Sequence, residues 1–550
     1  MRVVAALSAP ESYRAPSRDG EALIVPPIGR VERLVADNRR RLAEADRQAT
    51  DLALGALRRA ARQQLLRAAR SYTGCYRDVG SMGQELASDP YLVMAGHQPT
   101  LFHPGVWFKN FAIDRFAERL TAGSSGGGRE AIAVNLVIDN DVSTASSIRV
   151  PFRDPISGLA RCSPVAYDSV AGGVPFEQNR IQDCETFRSF AGAIRSAVGS
   201  LVAEPLIDRL WPHAVAAASR CENVACAIAQ ARHALEAELG LRTLELPLSV
   251  LCRGEPFCRF ALAILNRANR FRQVYNGAAS EYRAANRIRS SAHPVPDLGI
   301  DGNWVEVPFW IYADHSPQRR RAWVRVVGGR LEVSDRRDLS IRLSSRTSDD
   351  GAELAGRMGP EFKLRPRALV TTMFARLVLS DLFVHGIGGA KYDELGDVIT
   401  ARFFGVRSPA WMVVSATLLL PVDRRRITES AWSVSEIRRQ LRRIRFAPES
   451  FAGEAELPEG LCQEKRELIA AVGTEGNKKA WHDRLDETNR RLAADLGAVR
   501  QQWTERLAVA RAVESSEKIL NSREYAFCLY PLGHLANHYS RLLSQDGAGG

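Results

Sequence analysis

Two glycine-punctuated blocks, far apart in the chain, carry the residues best suited to chemistry. The first runs Val93-Met94-Ala95-Gly96-His97-Gln98-Pro99-Thr100-Leu101-Phe102-His103-Pro104-Gly105. The second runs Leu382-Phe383-Val384-His385-Gly386-Ile387-Gly388-Gly389-Ala390-Lys391-Tyr392-Asp393. In each, an apolar run gives way through Gly and His to a helical pattern, the junction where α/β enzymes place phosphate-binding backbone and catalytic side chains. Neither block is a nucleotide fingerprint, so the pattern points to a site without naming its ligand. Gly96 and Gly105 would let backbone N–H groups approach an anion, helped by the dipole of the following helix. Gly386, Gly388 and Gly389 would form a second such wall. His97 suits a phosphate donor or an acid/base near neutral pH. A third group, Asp139-Asn140-Asp141, ends another apolar run, and its carboxylates suit Mg²⁺, a substrate ammonium or a ribose hydroxyl.

The same residues have plainer uses. A His after Gly at a strand end is often a structural hydrogen-bonder, paired aspartates cap turns, and glycines mark tight turns. His103 sits in a Phe/Pro turn and suits a partly buried core. No spacing rule supports zinc held by His97, His103 and His385. The combination raises these positions above background.

Lysine usage sharpens the picture. Only seven of the 75 basic residues are lysine. A lysine kept in such a chain tends to stand where a compact, titratable charge is needed rather than a guanidinium fork. Lys109 and Lys391 fall beside or inside the two blocks, and Lys391 is expected to neutralise a carboxylate or phosphate; a solvated helix face is the ordinary alternative.

The elements that must position these residues follow from hydrophobic periodicity. Residues 1–28 read as an irregular lead-in and 31–70 as a long helix. Tyr91 to Ala95 is a buried strand, Val106 to Leu120 a helix, the Gly/Ser run at 123–128 a flexible connection, and Ala131 to Ile138 a second buried strand. That order makes one βαβ unit with a parallel sheet, the acidic end of its second strand facing the first Gly turn. Further on, Leu244 to Cys252 reads as strand and Pro256 to Arg289 as one long helix. Val305 to Tyr312 and Trp323 to Val333 read as meander strands, joined by a solvated Arg319-Arg320-Arg321 loop. Residues 475–520 carry Trp481, Leu485, Leu492, Leu496, Val499, Trp503 and Leu507 at spacings of an a/d stripe. They predict a coiled-coil arm, folded back on a helix near Val434–Ile444 or paired with a second subunit. The apolar Phe527-Cys528-Leu529-Tyr530-Pro531 segment should return to the core.

Composition bounds the rest. The 550 residues, 45% apolar and 25% charged, are ordinary for a globular protein of more than one domain. The net charge of +12 is arginine scattered along helices, without a recognition motif for nucleic acid. Nine dispersed cysteines form no C-x-x-C and no zinc spacing, as in a reduced cytoplasmic protein. The first ten residues lack the parts of a secretion signal, and no apolar run is long enough for a membrane span.

These motifs, taken in order, resemble the bacillithiol biosynthesis cysteine-adding enzymes. The family's Gly-Gln-Gln block matches Gly96-His97-Gln98 with Leu101 and Phe102. Its Asp-His-Asp matches Asp139-Asn140-Asp141, followed by Arg149-Val150-Pro151. Leu364-Arg365-Pro366, His385 to Ala390 and Phe404-Gly405-Val406 match further segments. His97 stands for a glutamine, Asn140 for a histidine, and Ile138 and Ala390 for glutamates. The resemblance implies an α/β fold with a Rossmann-like parallel-sheet core, accessory helices and a C-terminal α-helical coiled-coil arm. It divides the chain into an N-terminal helical segment (1–84), the core (85–423), the arm (424–525) and a returning tail (526–550).

Function by resemblance is ligation of cysteine, or a similar amino acid, to a small amino-sugar acceptor such as glucosaminyl-malate. His97, Asp139 and Asp141 would be catalytic. Gly96, Gln98, Gly386, Gly388, Gly389 and Lys391 would bind a nucleotide (ATP or ADP, with Mg²⁺), and Asn140 and His385 the substrate. No metal site is expected from protein ligands alone. The protein would be a cytoplasmic homodimer through the coiled coil, with neither nucleic acid nor membrane as partner. Two rivals remain: a nucleotidyl- or glycosyl-transferase on the same core, and a non-catalytic dimeric ligand-binding scaffold.

Overall fold

The computed structural model describes residues 13–47, 52–82, 89–123, 129–169, 172–344, 351–424, 432–472 and 477–544. The expectations for the first ten residues and for a flexible connection at 124–128 lie outside the described residues. The protein is mixed α/β. It forms two units, one of Met1–Val150, Pro164–Pro421 and Arg523–Gly550, the other of Pro151–Ser163 and Val422–Ser522.

In chain order the strands begin with β1 (Glu21–Val25), β2 (Tyr91–His97) and β3 (Ala131–Val137). A two-stranded pair, β4 (Ser147–Arg153) and β5 (Ala160–Ala166), precedes β6 (Thr243–Pro247). Next come β7 (Ile300–Asp301), β8 (Trp304–Ala313), β9 (Ser316–Val327) and β10 (Arg330–Ser334). The last are β11 (Ser340–Leu343), β12 (Lys363–Pro366), β13 (Leu382–His385) and β14 (Trp411–Thr417).

In the first unit, one six-stranded sheet has the order β1-β14-β13-β2-β3-β6. Its last five strands are parallel and β1 runs antiparallel to β14. Leu92, Val93, Met94 and Ala95 are buried in succession. Such an unbroken apolar run marks a strand covered on both faces. From β2 the chain crosses to β3 through the helix Pro104–Gly123, and from β13 to β14 through Ile387–Phe404. The two crossovers travel in opposite directions along the sheet, so the reversal falls between β2 and β13. Open α/β sheets bind ligands beyond the strand ends at such a reversal. Pro104 suits the first turn of its helix, where no N–H is needed. Gly105 is required by proximity, since a Cβ there would lie 2.2 Å from the Ala416 carbonyl oxygen.

The second sheet of this unit has the order β11-β10-β9-β8-β12, with β7 on β8. Arg319, Arg320 and Arg321 lie inside β9, not in the solvated loop expected. Each has a partner that a loop would not supply. Arg319 stacks on Trp310, Arg320 pairs with Asp335 at 2.9 Å, and Arg321 pairs with Glu306 at 3.3 Å.

Other differences are local. Residues 21–25, read as irregular, add to the core sheet through β14. The single helix expected over 31–70 is two, Val31–Arg47 and Leu54–Gly74. The strand expected to reach Cys252 stops at Pro247, which starts a helical turn, Leu248–Leu251. The helix expected from Pro256 to Arg289 divides into Glu255–Leu265 and Ala268–Ala285.

The second unit is helical, with Val434–Phe446, Glu459–Ala470, Lys478–Ala494 and Gly497–Leu520. The expected arm is interrupted at Asp495-Leu496. Its stripe is consumed within the chain, where Leu496, Val499, Trp503 and Leu507 cluster with Ile437, Ile444 and Phe451. Leu492 is also fully buried. Ser433 and Glu436 close a reciprocal capping box on the first of these helices. Among the described residues no helix is long and apolar enough to cross a membrane.

Candidate functional site

Strand register brings the two glycine blocks side by side. Val384 pairs with Ala95 in adjacent parallel strands, so Gly96-His97 and His385-Gly386 emerge together from the same sheet edge. Asp139-Asn140-Asp141 emerges next to them, because His97 pairs with Val137 in β3. Four features stand along this edge: a buried polar network under His97, a buried lysine, a carboxylate cavity, and the start of the Ile387–Phe404 helix.

His97 is buried and points inward. Its Nδ1 lies 3.2 Å from the Gln98 carbonyl, and its Nε2 lies 3.0 Å from Asn135 Nδ2 and 3.2 Å from Asn110 Oδ1. Burial, then Arg232 and Lys109, push its pKa well below the ordinary value, so the ring is neutral. Asn135 also donates to Glu245 Oε2 at 2.8 Å, and Asn110 and Trp107 donate to Glu236 Oε1 at 2.6 and 2.7 Å. Arg232 bridges Glu236 and Glu245. Burial raises Glu245 to about 7 against the opposing pull of Arg232. His97 therefore anchors a polar layer beneath the edge, and its expected role as a solvent-facing acid/base does not fit this geometry.

Lys109 stands on the Pro104–Gly123 helix and is buried, with Nζ 2.9 Å from the Gly96 carbonyl. Burial alone lowers its pKa to about 8. An ammonium has three donors, and a cation so desolvated favours an anionic ligand. The helix that carries it is self-capped, because His103 Nδ1 accepts the Gly105 N–H at 3.1 Å. Burial lowers His103 to about 4, leaving the acceptor nitrogen free of a proton. That helix start is thus closed to a phosphate, contrary to expectation. Gly96 itself is not a cradle of necessity, since a Cβ there would come closest to the flexible Ile138 Cδ1, at 3.3 Å, and would touch the Leu136 carbonyl oxygen at an ordinary 3.5 Å.

The second block behaves differently. Gly386 caps the Ile387–Phe404 helix without a side-chain acceptor, which leaves first-turn N–H groups available to an anion. Gly389 packs so closely on His385 that a Cβ would lie 2.9 Å from its Nδ1. His385 Nε2 sits 2.7 Å from Asp393 Oδ2, which also binds Arg376 at 2.9 Å. His385 is thereby turned into the fold rather than toward a substrate. Lys391 is exposed on the same helix. Ala390 is fully buried.

The aspartates are held separately. Asp139 accepts the Ser249 N–H at 2.9 Å and the Ser249 hydroxyl. Burial and the neighbouring Glu177 carboxylate raise it to about 7, against the hydrogen bonds from Ser249. Asp141 is exposed enough to meet solvent, accepts from Gln98, and pairs with Arg319 at 3.1 Å. Asn140 donates to the Pro366 carbonyl at 2.7 Å while its own carbonyl accepts from Arg319 at 2.9 Å. Glu177 is bidentate to Arg365 at 2.8 and 3.0 Å and accepts from Tyr312. With each carboxylate committed to its own partners, Asp139 and Asp141 do not fit a shared Mg²⁺. Among the described residues no cluster of three or more His, Cys, Asp or Glu could hold a metal ion.

A cavity of about 180 Å³ opens at the ends of β3 and β6, lined by Tyr72, Asp139, Glu177, Cys221, Cys226 and Ser249. A larger one, about 500 Å³, lies at the opposite end of the strands among Arg39, Arg58, Arg62 and Asp89. Arg39, Arg58 and Arg62 are engaged by Asp381, Asp89 and the carbonyls of Leu377, Leu379 and Pro90, so we assign these three a structural role.

Sequence reading passed over Glu177, Ser249, Asn135 and Glu245, which come from scattered elements with no local motif, and it met Arg365 only within the Leu364-Arg365-Pro366 segment, with no role assigned. Lys109 carried a signal, as a rare lysine beside a glycine block. Comparison of the chain with known protein families and with characterised proteins finds no match.

Proposed function

We propose that the chain is a small-molecule enzyme of the cysteine-ligating type, with a Rossmann-like core and its site along the edge from β13 to β6. The observation that carries the reading is the adjacency of Gly96 and His385 to the Asp139 cavity at the reversal of strand order. The resemblance to the bacillithiol cysteine-adding enzymes rests on the same segments. Asp139, raised by burial and by Glu177 in the wall of a cavity, supports an active site over a non-catalytic scaffold.

A nucleotide phosphate would supply activation of the amino-acid carboxylate. Lys109 and the open first turn at Ile387-Gly388-Gly389 would bind its negative charge. Asp139, poised at about 7, would take the proton released when the acceptor amine attacks the activated carbonyl and the C–N bond replaces the C–O bond to phosphate. Glu177, fixed by Arg365 and Tyr312, would help hold the Asp139 pKa up. His97 would hold the floor in place. Mg²⁺ bound by Asp139 and Asp141 forms no part of the reading. The nine free cysteines suit a cytoplasmic location. A homodimer through the helical unit would use exposed Ile469, Val472 and Val509, since the arm's stripe is already buried.

The test is a thermal-melt comparison across ATP, ADP, UDP-sugars, cysteine and glucosaminyl-malate, with amide formation followed by mass spectrometry. A ligand at a hundred times its dissociation constant adds about 2.7 kcal/mol of stability. A nucleotide-dependent shift with amide product supports ligation. A shift with nucleotide-sugars alone would transfer the site to a transferase, and no shift at all would remove the enzyme reading.

A further inference from the structure

The two-residue turn Glu222-Asn223 joins the helix Ile207–Cys221 to Val224–Glu238, and a cysteine stands near it on each side. Cys221 and Cys226 both line the Asp139 cavity. Both are part-exposed, whereas Cys252, Cys258 and Cys528 are buried. Cys221 Sγ folds back over the turn, 3.2 Å from the Ala217 carbonyl and 3.7 Å from that of Asn223. Cys226 lies in the first turn of its helix, where Asn223 Oδ1 accepts its backbone N–H at 2.9 Å. Gln230 Nε2 donates to Cys226 Sγ at 3.3 Å, and the Tyr72 hydroxyl lies 3.8 Å away. Both cysteines reach the same cavity wall from the two sides of this short turn, and the proximity of Cys226 draws Cys221 down to about 7 while Cys226 is pushed up. One thiolate held against one thiol is the arrangement of an attacking and a resolving cysteine.

We infer that Cys221 and Cys226 form a reactive dithiol opening on the Asp139 cavity, with a small hydroperoxide as its oxidising substrate. The Cys221 thiolate attacks one peroxide oxygen, so that an S–O bond forms, the O–O bond breaks, and the departing alkoxide or hydroxide takes a proton from solvent. Cys226 then gives up its proton and attacks the sulfenic sulfur; the S–S bond forms and hydroxide leaves, protonated to water. Two thiols are oxidised and one peroxide is reduced. A low-molecular-weight thiol restores the pair by exchange, two molecules leaving as their own disulfide. Closing the bridge draws Cys226 Sγ away from Gln230 and Tyr72 and so reshapes the cavity wall. The inference does not depend on the ligation reading.

Full-length reduced protein treated with hydrogen peroxide should lose two hydrogens by intact mass, with one linked peptide containing Cys221 and Cys226. Alkylation at pH 7 should strike Cys221 about tenfold faster than the exposed Cys75 and Cys184, which serve as controls in the same molecule. Cys226→Ser should leave a Cys221 sulfenic acid trappable by dimedone, and Cys221→Ser should abolish the bridge, both variants melting near the parent. Peroxide that oxidises Cys75 or Cys184 at least as fast as Cys221, or that oxidises Cys221 without linking it to Cys226, overturns the proposal.

Discussion

The backbone N–H of Leu92 donates to Asp381 Oδ2 at 2.9 Å, joining the starts of two neighbouring parallel strands from positions 289 residues apart. Arg62 reaches the same oxygen at 3.0 Å, Arg39 the other at 3.1 Å, and Arg58 lies at 3.8 Å. Burial acts to raise the Asp381 pKa, but the three arginines outweigh it and the net shift is downward. The clasp sets the register of β2 against β13, and that register is what delivers the two glycine blocks to one edge.

Removing the carboxylate should therefore cost far more than a single hydrogen bond. Asp381→Ala leaves three guanidinium groups facing one another without their counter-charge, a loss of about 3–5 kcal/mol. Urea unfolding of parent and variant at pH 7 measures it. The downward shift means that the Asp381 contribution is present above its unfolded value of 3.8 and fades as pH falls through the lower folded value. A loss under about 1 kcal/mol would place the cohesion of this end of the sheet in the apolar core instead.

Asp139 should give the opposite pH dependence. Its folded value, about 7, stands above the model-compound 3.8. The folded protein keeps the proton to higher pH, and stability falls as pH climbs between the two values. Asp139→Asn is neutral throughout and can keep both Ser249 contacts, because the serine hydroxyl can turn to accept. The variant should match the parent near pH 4 and exceed it by a few kcal/mol, on the order of the shift itself, by pH 7.5. Paired melts across that range decide the matter. A constant difference would mean that Asp139 is ionised throughout, and amide formation that survives the change would take it out of the mechanism.

How much of this was legible in the sequence depended on whether the signal was local. The βαβ unit was readable because β2 and β3 are mostly apolar runs, with Asn135 the one polar break in β3, and Pro104-Gly105 punctuates the helix start. The neighbourhood of Gly96 and His385 was not, because strand pairing across hundreds of residues leaves no periodicity. Nor was the inward turn of His97, which meets Asn110 on one element and Asn135 on another, with Asn135 in turn donating to Glu245 on a third. Lys391 and Lys109 looked equivalent as rare lysines. Only packing separates them, one exposed and the other against the Gly96 carbonyl. The arm's stripe was visible, but an a/d pattern cannot tell a partner in the same chain from one in another.

That ambiguity now has a measurable form. Leu496 is fully buried and packs with Ile437, Ile444 and Trp503. Leu496→Asp should melt the helical unit, with helix content falling by circular dichroism and a loss above about 3 kcal/mol from burying an unpaired charge. An arm held together by a second subunit would respond otherwise, yielding a folded monomer by light scattering.

Lys109 offers the most direct test of an anion at the edge. Its folded value of about 8 lies below the ordinary 10.5 because the ammonium is buried. Binding a phosphate must favour the charged form, so affinity should fall as pH rises through 8, with proton uptake on binding. Lys109→Met preserves the stem, loses the charge and leaves the Gly96 carbonyl one donor short, a cost of about 1–2 kcal/mol. The nucleotide-dependent melt shift should disappear in that variant and, in the parent, shrink between pH 7 and pH 9. Lys109→Arg should not restore it, since a guanidinium fork does not fit a space shaped around one nitrogen. If the methionine variant keeps the full shift, the anion binds elsewhere. The arginine-lined cavity at the far end of the strands becomes the place to look, and Arg59→Ala, which leaves the Asp381 clasp intact, the next measurement.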